Sequence, residues 1–78
     1  MTMGERITYL RSKRGLSQAE LARRARIGQS TLHGYESGRR PARGMSVEVA
    51  QRLARELGVS MDYLVGLYDE EESTSAGR

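Results

Sequence analysis

Residues 17–38 read Ser17-Gln18-Ala19-Glu20-Leu21-Ala22-Arg23-Arg24-Ala25-Arg26-Ile27-Gly28-Gln29-Ser30-Thr31-Leu32-His33-Gly34-Tyr35-Glu36-Ser37-Gly38, and the fold follows from how this stretch divides. Ser17 and Glu20 stand three apart, the spacing of a capping box: the hydroxyl takes the N3 amide and the carboxylate reaches back to the cap amide. A helix over Gln18–Ala25 follows, with Leu21, Ala22 and Ala25 as its apolar stripe and Leu16 packing just before it. Arg26-Ile27-Gly28 is too short for anything but a tight turn. A second helix then covers Gln29–Ser37 and stops at Gly38. Leu32 and Tyr35, three apart, face inward, which leaves Gln29, Ser30, Thr31, His33 and Gly34 to face outward. Gly34 inside that helix costs about 1 kcal/mol against alanine, so packing must hold the helix in place. Two helices joined by so short a turn cross steeply, and small alanines at the crossing let them approach closely.

Working outward, residues 4–14 read as a helix with Ile7, Leu10 and Met3 on one face, closed at Arg14-Gly15. Residues 39–45 form a basic loop carrying Arg39, Arg40 and Arg43. Ser46 caps a helix whose stripe is Val47, Ala50, Leu53, Ala54 and Leu57, and Gly58 ends it. A last helix runs from Met61 to Leu67, anchored by Leu64. No segment alternates like a strand. The expected architecture is therefore all-α: a compact five-helix bundle over residues 1–68, followed by an acidic tail at 69–78 with too few apolar residues to fold.

The chain of 78 residues allows one domain, and its lack of cysteine removes disulfides and thiolate metal sites and fits a reducing, cytoplasmic setting. A polar start and the lack of a long apolar stretch argue against a signal peptide and a membrane span. The net charge of +3 hides an asymmetry: residues 69–78 carry four acids and one arginine, while residues 1–68 carry twelve basic and six acidic side chains. A basic body suits a polyanionic partner, although solubilising charge accounts for it equally well. The lone histidine, His33, has no partner carboxylate to make it a catalyst. With no nucleophile–base pair, metal-ligand set or phosphate-cradling glycine loop, we expect no enzyme, no cofactor and no small-molecule ligand.

The ordered pieces Ser17-Gln18-Ala19-Glu20-Leu21-Ala22, Ser30-Thr31-Leu32, Tyr35-Glu36-Ser37-Gly38 and Ala54-Arg55-Glu56-Leu57-Gly58-Val59-Ser60 resemble the Xre/Cro/phage-repressor helix-turn-helix family over about residues 5–66. The resemblance implies a lambda-repressor-like DNA-binding domain that presents its third helix to the major groove, and a dimeric transcriptional regulator. By position it assigns phosphate contact and support of the third helix to Gln18, base edges to Gln29 and Ser30, and later outward positions to His33 and Gly34. Thr31 suits a phosphate or a thymine methyl. The resemblance also pairs Glu36 with Arg11 as a structural ion pair. Two positions depart from the family pattern: Arg26 stands where glycine is usual at positive φ, and Gly28 stands at the N-cap.

Each signal has a plainer reading beside it. Arg39, Arg40 and Arg43 are a solvated charge run or phosphate contacts; their place after the third helix favours phosphate. His33 is an exposed polar residue or a DNA contact. Tyr9, Tyr63 and Tyr68 read as partly buried packing residues. Val65, Leu67 and Tyr68 cover the chain's own core or form a symmetric dimer interface, which Val49, off the stripe of its helix, would join. Glu70-Glu71-Glu72 solubilises the tail or mimics phosphate. The expected function is a sequence-specific repressor bound as a homodimer to double-stranded DNA, controlled by concentration, a partner protein or proteolysis. The alternative is an antitoxin-type protein that binds DNA and a toxin partner.

Overall fold

The computed structural model describes residues 1–66, and these form five α-helices: α1 (Met3–Lys13), α2 (Gln18–Ala25), α3 (Gln29–Ser37), α4 (Val47–Leu57) and α5 (Met61–Val65), with a 3-10 turn at Ala42–Gly44 between α3 and α4. There is no strand among the described residues. The fold is the lambda-repressor-like arrangement, with α2 and α3 as its helix-turn-helix. No helix among them is long and apolar enough to cross a membrane. Leu67, Tyr68 and the tail at 69–78 lie outside the described residues, as does the domain boundary expected at residue 68.

Local chemistry sets the helix ends. Ser17 Oγ accepts from the Glu20 amide (3.0 Å) and Glu20 Oε1 accepts from the Ser17 amide (2.9 Å), which is the expected capping box. The backbone amide of Ser17 holds the Glu20 carboxyl below its usual range, and the Ser17 hydroxyl adds to this. At its other end α2 closes with Arg26 in the left-handed region (φ 59, ψ 46). The Ile27 amide returns to the Ala22 carbonyl (3.0 Å) and the Arg26 amide to Arg23 (3.2 Å), a six-to-one closure that usually recruits glycine. Arg52 of α4 braces this end, its Nε donating to the Ala25 carbonyl at 2.6 Å.

Ile7, Leu21, Leu32, Leu53 and Leu64 are fully buried, one from each helix, and each contributes about 1.5–3 kcal/mol by leaving water. Met3, Ala22, Ala25, Tyr35, Ala54 and Leu57 complete the cluster. The crossing of α1 over α3 is close: a Cβ on Gly4 would stand 2.5 Å from the carbonyl oxygens of Tyr35 and Glu36.

Several expectations need correction. α1 begins at Met3, one residue early, because Thr2 and Glu5 form a second capping box. Arg6 completes the inward face of α1 and is buried; its guanidinium sits 5.0 Å above the Tyr63 ring and donates to the carbonyls of Met1 (3.0 Å) and Leu64 (3.4 Å). α5 stops at Val65 instead of Leu67, since Gly66 takes a left-handed conformation (φ 87) and closes it. In α4 the two flanking valines exchange roles: Val47 is 63% exposed and Val49 packs against the core. On the helical wheel both sit at the margin of the stripe, so the neighbours of the first turn decide between them. Tyr9 is exposed rather than packed, with the Lys13 ammonium 5.4 Å above its ring.

Candidate nucleic-acid interface

The geometry of α3 begins with its burial pattern. Leu32 and Tyr35 are buried, and Gln29, Ser30 and His33 are exposed, as their spacing predicts. Gln29, Ser30 and His33 line a shallow open cleft together with Gln18 from the start of α2. Thr31 is half-buried beside them. Gly28, the N-cap, makes no side-chain capping bond, so it offers no acceptor to the first amides of α3. The result is a polar ridge of amide, hydroxyl and imidazole groups on the outside of a helix locked from within.

Behind the ridge lies a polar hub. Glu36 Oε2 accepts from Arg11 Nε at 2.7 Å, and Oε1 accepts from Arg11 Nη2 at 3.1 Å. The pair is bidentate and joins the two residues that the resemblance pairs. Two further donors go beyond that pairing: Gln18 Nε2 reaches Glu36 Oε1 at 3.0 Å, and Thr8 Oγ1 lies 3.1 Å from the same oxygen. Thr8 Oγ1 also lies 2.9 Å from the Gly4 carbonyl, so its single proton serves both acceptors. Arg11 Nη1 donates to the Leu16 carbonyl at 2.9 Å, joining the loop before α2 to the hub. Burial pushes the Glu36 carboxyl up, but hydrogen bonds from Arg11, Gln18 and Thr8 and the Arg11 charge outweigh it, leaving the group below its usual range. α1, α2 and α3 are thus tied at one carboxylate, and Gln18 is held where α2 meets the outer cleft. Thr8 stands three residues before Arg11, on the same side of α1, and that spacing is the one sequence signal for this fourth member.

Gly34 departs from expectation. It is buried, although Ser30, His33 and Ser37 around it are not. The Arg40 stem covers it: a Cβ on Gly34 would stand 3.0 Å from both Cγ and Cδ of Arg40. Gly34 therefore cannot serve as an open outward position. Arg39, Arg40 and Arg43 are all exposed; Arg39 and Arg40 follow directly on α3, and Arg43 sits on the 3-10 turn. Of the expected dimer residues, Val65 is half-buried and lines a mainly apolar groove with Ala42, Met45, Val47, Ala50 and Met61, to which Arg43 and Asp62 also contribute. Val49 is taken up by the core rather than by this surface. Among the described residues no cluster of His, Cys, Asp and Glu has metal-binding geometry.

Comparison with known proteins adds four similarities. A helix-turn-helix family model matches residues 7–64. The HTH-type transcriptional regulator ImmR of Bacillus subtilis (strain 168) is 35% identical over 66 residues; these are 85% of this chain and 50% of ImmR, so the chain spans half the length of that relative. Among solved structures, SinR of Bacillus subtilis, a master regulator for biofilm formation seen in complex with DNA, matches with a TM-score of 0.73 at 28% identity, covering 81% of this chain and 97% of that one. The P22 c2 repressor protein in complex with a synthetic operator matches with a TM-score of 0.77 at 27% identity, covering 85% and 96%.

Proposed function

The chain belongs to the helix-turn-helix family, and from that membership we propose that it is a sequence-specific, double-stranded-DNA-binding transcriptional regulator acting as a repressor in the cytoplasm. The observation that carries the proposal is the exposure of Gln29, Ser30 and His33 on the outside of α3 while Leu32 and Tyr35 lock its inner side. A helix so held can enter a major groove with its N-terminal residues against base edges. Gln29 offers the amide pair that bonds bidentately to adenine, Ser30 bonds to either partner of a base pair, and Thr31 reaches a phosphate or a thymine methyl. Gln18, fixed through Glu36, contacts a backbone phosphate beside them. Arg39 and Arg43 add phosphate contacts that position the domain without reading sequence. SinR and the P22 c2 repressor, both seen on DNA, support this reading by analogy of fold.

The proposed working form is a homodimer. Val47, 63% exposed, stands at the edge of the apolar groove that Val65 lines, and a second copy of the chain would cover that surface. Two copies of α3 would then meet a pseudo-palindromic operator at half-sites roughly 34 Å apart. Repression follows from occupation of a promoter. SinR is also known in a complex with the SinI protein, which keeps a protein partner of antitoxin type as the second reading of the same apolar surface.

The test is selection of bound sites from random duplexes at fixed salt. The expected result is an enriched, two-fold symmetric motif. Enrichment of no sequence, with binding that depends on salt alone, would remove the regulator reading.

A further inference from the structure

Arg40 occupies a place on α3 that no residue of α3 itself fills. Residues four apart on a helix stand one above the other, so position 34 lies directly beyond Ser30 on the outward face. At that point the helix has no side chain. Ser30, His33 and Ser37 around it are exposed, yet Gly34 is buried, and the atoms that bury it are the Arg40 stem. Arg40 Cγ and Cδ would lie 3.0 Å and Nε 3.2 Å from a Cβ at position 34. The side chain therefore runs across the helix where a residue-34 side chain would begin.

The backbone holds it there. Gly38 adopts a left-handed conformation (φ 89), which turns the chain back over the end of α3. The Arg40 amide then donates to the Gly34 carbonyl at 3.1 Å, and the Ser37 hydroxyl donates to the same carbonyl at 3.2 Å. The Arg39 amide leans on Ser37 Oγ at 3.4 Å. Pro41 follows, and a residue before proline is restricted to extended backbone. Among the described residues the Arg40 guanidinium has neither an ion-pair nor a hydrogen-bond partner, and the residue is exposed. A poor helix former in mid-helix, a stem laid over it and an unengaged fork beyond it make one unit, in which the loop supplies the side chain that the helix omits.

We propose that Arg40 is a specificity-determining residue, reading a guanine in the major groove at the base pair that α3 would otherwise address from position 34. The chemistry suits it: a guanidinium bonds bidentately to guanine O6 and N7. The inference rests on the proposed use of α3 as the reading helix. It moves Arg40 out of the set of arginines that merely grip phosphate.

Three proteins are carried through the same site selection at one salt concentration, followed by titration on the selected site and its single-base variants. The unaltered protein is expected to prefer guanine at one position of each half-site. Arg40→Met keeps an unbranched stem over Gly34 but loses every donor; all duplexes lose the charge alike, and beyond that uniform loss the preference for guanine over the other bases at that position is expected to fall roughly ten- to hundredfold. Gly34→Gln puts an amide-bearing side chain where the Arg40 stem lies and shifts the preferred base at the same position, with the rest of the motif unchanged. Thermal melting of both variants shows whether they fold; the obstruction at position 34 is the flexible Arg40 side chain, which can move aside. If Arg40→Met keeps the full guanine preference, whether it weakens every sequence equally or none, Arg40 is a packing or phosphate residue and the inference is overturned. If the unaltered protein selects no motif, the reading of α3 falls first and this inference with it.

Discussion

Glu36 is the residue on which most of the local architecture converges. Three side chains from two other helices donate to its carboxylate, and only 5% of that side chain is exposed. Replacing it with glutamine leaves Arg11 half-enclosed without its charge partner. Hydrogen bonds to charged groups are each worth about 1.5–3 kcal/mol, and Arg11 keeps some solvent, so Glu36→Gln is expected to cost about 2–3 kcal/mol in urea unfolding at neutral pH. The pH dependence has a defined sign. Because the folded protein holds this carboxyl below its ordinary range, the stabilisation is complete above the pKa of the unfolded chain and disappears as pH falls through the lower folded value. The stability gap between the two proteins should therefore narrow as unfolding curves are measured at successively more acid pH. A constant gap would show that the carboxylate's charge is irrelevant. Gln29 carries a different expectation. It is exposed and lies on the outer ridge, so Gln29→Ala should leave melting unchanged while discrimination between operator variants drops by about 1–3 kcal/mol. Equal weakening on all duplexes would count against base reading. At this scale the sequence speaks through apolar spacing: Leu32 and Tyr35 inward, Gln29 and Ser30 outward. It is silent where a polar residue turns inward. Arg6 stands three residues after Met3 and next to Ile7, within the apolar stripe, but arginine there reads as solvent until a ring and two carbonyls are seen around it. Gly34 misleads for the complementary reason, because its cover arrives from a loop six residues away.

The elements are most legible where their ends carry chemistry. α2 and α3 fall on their expected bounds because Ser17 and Glu20 define one end and Gly38 another. The start of α1 and the end of α5 differ from expectation by one and two residues, although Thr2, Glu5 and Gly66 carry the same kinds of signal. The packing of one element on another is harder to anticipate. Nothing in the spacing of α1 announces that Gly4 lies against the backbone of α3, yet a Cβ there would meet two carbonyl oxygens at 2.5 Å. Gly4→Ala poses a contest of magnitudes. Alanine gains about 1 kcal/mol in helix propensity. Overpacking typically costs about 1–3 kcal/mol, and here the obstacle is backbone that cannot rotate away, which puts the cost at the upper end. A net loss of about 2 kcal/mol in chemical denaturation is expected, together with partial loss of DNA binding as α3 is pushed outward. An unchanged or raised melting temperature would mean that α1 and α3 are not packed as closely as described.

For the whole molecule, charge and symmetry govern what a five-helix body can do with DNA. Six more basic than acidic side chains over residues 1–68 provide a field that draws any duplex. Arg39 and Arg43 stand on or just before the turn that follows α3, so removing both should weaken binding on every sequence and reduce the salt slope by about one for each phosphate they would have neutralised. A slope unchanged from the unaltered protein would take them off the interface. Sequence preference requires more than this field, because a single short helix reads only a few base pairs. Two copies related by a two-fold axis double the reading, provided the DNA presents both half-sites on one face. The separation of about 34 Å between half-sites corresponds to one turn of the duplex. Inserting half a turn of DNA, about five base pairs, between the half-sites of a selected operator rotates the second site to the far side. If the proposed dimer forms, binding should then fall to the level of a single half-site, and a full-turn insertion should not restore it, since a rigid pair of domains would fix distance as well as phase. Val47→Asp places a charge beside the apolar groove, and should give the same half-site affinity on the unaltered operator while leaving the interactions within each half-site intact. Retention of full operator affinity by Val47→Asp, with spacing still strictly required, would locate the dimer contact on another face of the domain.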